Sequence, residues 1–369
     1  MSSIGGYRWF NALVLAALTA ATVSASDPKP RVFVGYLMGR PKSVDHRLYT
    51  HLCHAFVTAD GDGRIRPNRA VPDAKLVREA HASGVRVLIS LGGWGWDRQF
   101  AELTSDRAAE DRYVQSVLAL VDSGDYDGID LDWEYPDNAK EVEGFERLSR
   151  RLRDGLTERS KRIGRPMELT MAVSANPPTL AWLRKDFMVE TFDWINVMTY
   201  DMSGEWSKFA EHHSPLHGST KRAGGPRSSS GVIEHLIAER GFPADFLALG
   251  IPLYGRGFAA DSPYAEVRKG EKPKLPRGGY ASVSRAIEKD RWVRRWDDET
   301  KNPWAIAPEG DRVIGYDDAE SVGLKTDWAM GKNLRGVFFW EVDHDRMPDG
   351  TNPLQRAARE RWEAGSKKK

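Results

Sequence analysis

Short apolar runs alternating with amphipathic stretches recur along the whole chain. Arg31–Leu37, His51–Val57 and Val85–Leu91 read as three strands, with a helix predicted over Asp73–Ser83 between the second and third. Further on, the pattern predicts a helix over Asp106–Val121, a fourth strand over Gly128–Glu134, a long charged helix over Lys140–Arg162, and strands over Met167–Ala175, Asp193–Asp201, Leu247–Tyr254 and Gly336–Asp343. Eight strands, most of them followed by a helix, predict an α/β fold in which parallel strands close into a (β/α)8 (TIM) barrel. Ser219–Gly231 is rich in Gly and Ser and reads as a loop, not a domain boundary. The interval 256–315 is too long for a simple connection. Its charges, prolines and strand-like pieces at Tyr280–Val283 and Arg312–Tyr316 predict a small α+β insertion between strand seven and a helix starting near Asp318, and Trp292, Trp296 and Trp304 give it something to pack. The barrel then comprises 26–255 and 316–369.

The fourth strand carries the densest chemistry. Successive side chains on a strand alternate faces, so Asp130, Asp132 and Glu134 point one way and Ile129, Leu131 and Trp133 the other. A solvated edge strand has the same pattern, but the flanking strands argue for a barrel interior, where inward carboxylates are costly unless they have work to do. Acids two apart lie roughly 6.5 Å from each other along the strand, close enough for like charges to disfavour full ionisation. A proton retained near neutral pH is what a general acid needs, and Glu134, outermost, is best placed to meet a substrate. Asp127 is out of phase with the inward face and reads as support for the strand's entry turn. A metal site built on these acids is disfavoured, because no histidine accompanies them and hard cations want more ligands than one row supplies. No metal and no cofactor is expected.

Composition changes this picture little. The 54 Lys and Arg nearly balance 53 Asp and Glu, so nothing points to a nucleic-acid or membrane-surface partner. Thirteen Trp suit stacking on sugar rings, although large aromatics fill cores equally well. Cys53 is the single cysteine; it lies in an apolar run and reads as a packed small residue. At the start of the chain, Arg8, an apolar run from Trp9 to Ala21 and the small residues Val23-Ser24-Ala25 read as a secretory signal peptide over 1–25, cleaved after Ala25. A secreted, extracellular or periplasmic protein is expected, with no membrane association after cleavage.

Taken together, the motifs resemble glycoside hydrolase family 18, the chitinase family. Asp127-Gly128-Ile129-Asp130-Leu131-Asp132-Trp133-Glu134 matches the family's DxxDxDxE signature without departure. Ser90-Leu91-Gly92-Gly93-Trp94, Met198-Thr199-Tyr200-Asp201, Ser214-Pro215-Leu216, Gly250-Ile251-Pro252-Leu253-Tyr254-Gly255-Arg256 and Trp340-Glu341-Val342-Asp343 are similar to other family motifs, in the same order. His217 departs from the Tyr often found there, and Met202-Ser203 from a more aromatic pair. The resemblance implies a chitinase acting as a monomer on chitin or chito-oligosaccharide. Glu134 would be the acid and then the base. Position alone allows Asp132 as a nucleophile; the family resemblance implies instead that the substrate's acetamide attacks, with Asp132 holding its N–H, Asp130 behind it and Tyr200 at its carbonyl. It also implies a pocket of Tyr36, Phe56, Gly93, Met198, Asp201, Tyr254 and Arg256 over a Trp340 floor, with Trp94 and Trp206 as stacking platforms. Two rivals stand beside this reading. A non-catalytic lectin of the same fold typically lacks the terminal acid, which is present here. A hydrolase of other N-acetylglucosamine polymers or of N-glycan cores would use the same residues.

Overall fold

The computed structural model describes residues 29–41, 43–66, 70–222, 227–271, 276 and 278–366. The segment 1–25 lies outside them. In chain order the strands are β1 (Val32–Met38), β2 (His51–Val57), β3 (Arg86–Gly92), β4 (Gly128–Asp132), β5 (Glu168–Ser174), β6 (Trp194–Met198), β7 (Leu247–Pro252), β8 (Arg256–Phe258), β9 (Val293–Asp297), β10 (Asn302–Ile306), β11 (Val313–Gly315) and β12 (Gly336–Trp340). β1 to β7 and β12 form a closed, all-parallel barrel, sealed where Val32 of β1 pairs with Gly336 of β12.

Strand parity sorts the core into two layers. Odd-numbered β4 residues, with Phe33 of β1 and Val87 of β3, join the cluster between barrel and helices, where Trp133 stacks on Phe100 with ring centroids 5.1 Å apart. Their even-numbered neighbours face the axis, where Val32, Val34, Tyr36, Leu88, Ala172, Trp194, Met198 and Phe338 enclose a smaller cluster that also takes in Cys53 of β2. Several of the surrounding helices are capped by side chains that satisfy otherwise orphaned amides. Asn138 accepts from Glu141 N at the start of the helix Ala139–Ile163, and Asp318 and Ser321 form a capping box on Ala319–Gly331.

Four predicted strands overrun their ladders. β4 stops at Asp132, β6 at Met198, β7 at Pro252 and β12 at Trp340, so Glu134, Tyr200, Asp201 and Tyr254 stand just beyond the barrel rim. Apolar pattern alone does not mark where neighbouring backbones cease to pair; the last β3–β4 partners are Gly92 and Asp132. The Ser219–Gly231 stretch is not all loop: Ser228 caps a helix over Ser229–Glu234, and 223–226 lie outside the described residues.

β8 to β11 form an antiparallel sheet in the order β8-β11-β10-β9, flanked by the helix Tyr280–Lys289. Tyr280–Val283, which reads as strand, is the start of that helix. Its inward residues Val283 and Ala286 sit three apart, and they pack with Trp292, Ala305, Ile314 and Tyr316. A buried ion pair ties this unit to the barrel. Lys325 Nζ donates to Asp317 Oδ2 (2.7 Å), Ser214 Oγ (2.9 Å) and Ser214 O (2.5 Å), while Asn302 of β10 donates to Asp317 and accepts from Leu216 N. Ser214 in turn donates to Thr199 O, next to Tyr200.

Candidate active site

Asp130 lies fully buried on the barrel axis and is surrounded by donors. Tyr36 Oη (2.9 Å) and Ser90 Oγ (2.8 Å) donate to Oδ2, and Thr170 Oγ1 (2.6 Å) and Asn196 Nδ2 (3.4 Å) to Oδ1. The direction of these bonds is set from below. Trp194 Nε1–H, which can only donate, gives its proton to Asn196 Oδ1 at 3.0 Å, so the amide nitrogen faces up to Tyr36 Oη (3.0 Å) and Asp130, and Tyr36 must pass its own proton to Asp130. Burial pushes the Asp130 pKa up and its four donors pull against that rise. Protons pointed at the carboxylate also leave it no lone pair for a metal. Among the described residues no cluster of three His, Cys, Asp or Glu side chains is arranged to hold one.

One step outward, Asp132 is 3% exposed and its Oδ1 has no hydrogen-bond partner. Its backbone is fixed, because Gly93 N donates to Asp132 O at 2.9 Å. Burial, then the charges of Glu134 and Asp130, hold its pKa well above the usual carboxylate range. Glu134 follows at the mouth. Burial raises its pKa to about 7; the Tyr135 hydroxyl, donating to Oε2 at 2.9 Å, opposes the rise and the Asp201 charge adds to it. The barrel mouth thus presents a carboxylic acid that is protonated and deprotonated with near-equal ease at neutral pH.

Asp201, at φ +55°, turns its carboxylate into a polar clamp. Arg256 donates to both oxygens (2.9 and 2.7 Å), Tyr254 Oη donates to Oδ1 (2.8 Å), and His213 Nδ1 lies 3.5 Å from Oδ1. Burial works against ionisation here, but His213 and Arg256 outweigh it and hold Asp201 well below the ordinary range. Tyr200 packs its ring 6.3 Å from Tyr254 and 6.1 Å from Phe338, on top of the inner core beside Tyr135 and Trp340.

The apolar residues divide into a floor and two platforms. Trp340 has Tyr36 and Phe56 rings 5.7 Å away, Phe56 nearly parallel to it, and Met198 is buried close by in the same cluster. Phe56 is out of phase with inward His51 and Cys53; an irregularity in the β2–β3 ladder between His54 and Val57 accompanies its turn toward the floor. A Cβ on Gly93, which adopts φ +88°, would stand 2.7 Å from the Phe56 ring. Trp94 and Trp206 are 81% and 61% exposed, which no packing role explains. Trp206 lies against Gly204, with the Arg256 guanidinium 5.1 Å from its ring. Tyr36 spends its hydroxyl on Asp130, so only its ring remains to line a pocket.

Several residues at the site were not singled out from the sequence. Thr170 and Ser174 on β5 and Trp194 and Asn196 on β6 share parity with inward Ala172 and Met198, so alternation alone could have found them. Tyr135 and His213 lie beyond strand ends, where no periodicity places a side chain.

An eight-stranded parallel barrel with a proton-bearing acid at the C-terminal ends of its strands is the architecture of an enzyme working by acid–base chemistry. The chain belongs to the glycosyl hydrolases family 18, whose model matches residues 32–345. It is 32% identical over 296 residues to chitinase A1 of Niallia circulans, covering 73% of this chain and 42% of that one. Across the curated relatives most similar to it, the chain spans between 42% and 66% of their own length. Among solved structures it is similar to a Cycas revoluta chitinase in complex with (GlcNAc)4 (29% identity, TM-score 0.78, 90% of this chain and 99% of that one). It is equally similar to a family 18 N-acetylglucosaminidase of Paenibacillus barengoltzii (28% identity, TM-score 0.79, the same coverage).

Proposed function

We propose that this chain is a chitinase, hydrolysing β-1,4 linkages between N-acetylglucosamine units with retention of anomeric configuration and help from the substrate's own acetamide. The observation that carries this reading is the pairing of Asp132 Oδ1, buried and unpartnered, with Glu134, a carboxylic acid of pKa about 7. Glu134 gives its proton to the glycosidic oxygen as the bond to the anomeric carbon breaks. The acetamide carbonyl oxygen bonds to that carbon, its N–H donated to Asp132, and the resulting oxazolinium cation is balanced by charge on the Asp130–Asp132 pair. The Tyr200 hydroxyl orients the acetamide carbonyl. Glu134, now ionised, takes a proton from water as the water oxygen bonds to the anomeric carbon on the face the leaving group vacated and the bond to the acetamide oxygen breaks, which restores both the acid and the N-acetyl group. Trp340 lies under the reacting sugar, and Trp94 and Trp206 stack its neighbours. The two solved relatives, one named a chitinase in complex with (GlcNAc)4 and the other an N-acetylglucosaminidase, support an N-acetylglucosamine substrate. Export through the 1–25 segment belongs to the same proposal.

Glu134→Gln should lower hydrolysis of the N-acetylglucosamine hexamer about 10²–10⁴-fold while oligosaccharide binding persists, because an amide cannot supply the proton. Near-normal turnover removes Glu134 from the acid role. Cleavage of a fully deacetylated hexamer at the same rate as the acetylated one removes acetamide participation, and the product series from the hexamer separates internal cleavage from release of end sugars.

A further inference from the structure

The β6 ladder ends at Met198, and Tyr200 stands beyond it in a turn that the chain closes on itself. Thr199 N–H donates to Val197 O (2.8 Å) and Tyr200 N–H to Met198 O (2.7 Å). The Thr199 carbonyl is left for side chains. Ser214 Oγ donates to it at 2.7 Å and Ser229 Oγ at 3.2 Å, while Thr199 Oγ1 donates to Gly250 O of β7 at 2.7 Å. Lys325 fixes the direction of the first of these bonds. An ammonium group has three protons and no lone pair, and Lys325 directs its protons to Asp317 Oδ2, Ser214 O and Ser214 Oγ, so the Ser214 hydroxyl accepts from Lys325 and keeps its own proton for Thr199 O. Thr199, Ser214, Ser229 and Lys325 are all buried, out of reach of solvent that could replace these links.

We propose that Ser214, Ser229 and Lys325 are positioning residues for Tyr200: by holding the Thr199 carbonyl they set the peptide plane from which the Tyr200 hydroxyl is aimed. This rests on the reading of Tyr200 as the group that orients the acetamide carbonyl, and it adds what holds that group in place. A peptide unit is planar, and this one is gripped on both edges, its oxygen by two hydroxyls and its N–H by Met198 O. The Tyr200 ring packs against Tyr254 and Phe338, and such apolar contacts carry little directional preference, so the backbone decides where the side chain starts. The hydroxyl lies at the far end of that side chain. A tilt of about 10° at Cα carries it about 1 Å, and misplacement on that scale costs up to about a hundredfold in rate. The same loop is stitched to the insertion, since Leu216 N donates to Asn302 Oδ1 of β10 and to Thr300 O, and Lys325 donates to Asp317 just past β11. The insertion thereby bears on the acetamide step through a barrel loop.

The test is a double-mutant cycle on hydrolysis of the N-acetylglucosamine hexamer. Ser214→Ala and Ser229→Ala are each made in the intact protein and in Tyr200→Phe, and every variant is checked by thermal melt. Tyr200→Phe alone should lower kcat at least about tenfold. Ser214→Ala should lower kcat about three- to tenfold with KM within about twofold, and Ser229→Ala, whose bond is the longer, should lower it by less. In the Tyr200→Phe background either change should cost under about twofold further, because the hydroxyl it aims is gone. A role in stability alone would lower the melting temperature and leave the kcat of folded protein in place. Unchanged kcat in folded Ser214→Ala, or a loss just as large without the Tyr200 hydroxyl, overturns the proposal. Should Ser214→Ala not fold, Ser229→Ala decides in the same way. Near-normal turnover in Tyr200→Phe would instead remove the reading of Tyr200 itself, so the two failures are told apart.

Discussion

Tyr36→Phe isolates one hydroxyl at the base of the acid column. The change keeps the ring that meets Trp340 at 5.7 Å and Phe338 at 5.6 Å, and removes only the oxygen lying between Asn196 (3.0 Å) and Asp130 (2.9 Å). A hydrogen bond to a charged group contributes about 1.5–3 kcal/mol, and the site is closed to water, so no solvent donor substitutes. Asp130 keeps Ser90, Thr170 and the longer bond from Asn196. It either stays ionised with one donor fewer, at the cost of stability, or takes up a proton more readily. If all of the loss appears as protonation, 1.5–3 kcal/mol is about one to two pKa units, on a group whose pKa burial has already raised. The sign is upward, because the lost donor favoured the ionised form. In the proposed mechanism, charge behind Asp132 balances the cation formed during cleavage, so the acid limb of kcat should move to higher pH by about one unit. The rate below that limb should fall about tenfold or more, with KM little changed. A stopped hexamer assay with product separation between about pH 4 and pH 9, run beside thermal melts, measures both channels. An acid limb that stays in place with an unchanged melting temperature would refute the claim that this hydroxyl supports charge on Asp130.

The wild-type alkaline limb should fall near pH 7, where Glu134 loses its proton. Asp201→Asn should move that limb to lower pH, because the Asp201 charge raises the Glu134 pKa; an upward shift in the profile contradicts this. Lys325→Met leaves Asp317 charged and buried without its cation, and should cost about 3–5 kcal/mol in denaturant unfolding, against under about 1 kcal/mol for an exposed pair such as Lys161 with Glu158. Gly93→Ala puts a methyl 2.7 Å from the Phe56 ring at a positive φ, so it should lower both stability and kcat, and Gly84→Ala, at φ +71° with open space around it, is the control that carries backbone strain without the clash.

How much of this was legible in the sequence follows from where each residue's position is determined. Alternation along β4 sorts Asp130 and Asp132 from Ile129 and Leu131 because a two-residue period is fixed by the backbone itself, and the apolar repeats that announce eight strands follow from the same rule. Parity was sufficient to place Trp194, Asn196 and Thr170 beneath the acids as well, but a polar or aromatic side chain inside an apolar run looks like packing until its hydrogen-bond partners are known. Glu134, Tyr135, Tyr200, Asp201 and His213 belong to another category. They stand past the last paired backbone, where direction is set by which donors and acceptors a turn can reach. Asp201 illustrates this: its φ of +55° and its bonds to Tyr254 and Arg256, 53 and 55 residues away, are tertiary facts without a local signature. The barrel explains why both categories are needed in one site. Paired strands can hold a charge in a dry interior, as they hold Asp130 among four donors, but a group so held cannot move a proton to a substrate. The group that must exchange protons has to stand where the ladder ends, half out of the core, and there burial raises its pKa to about 7 and stops short of suppressing its charge altogether.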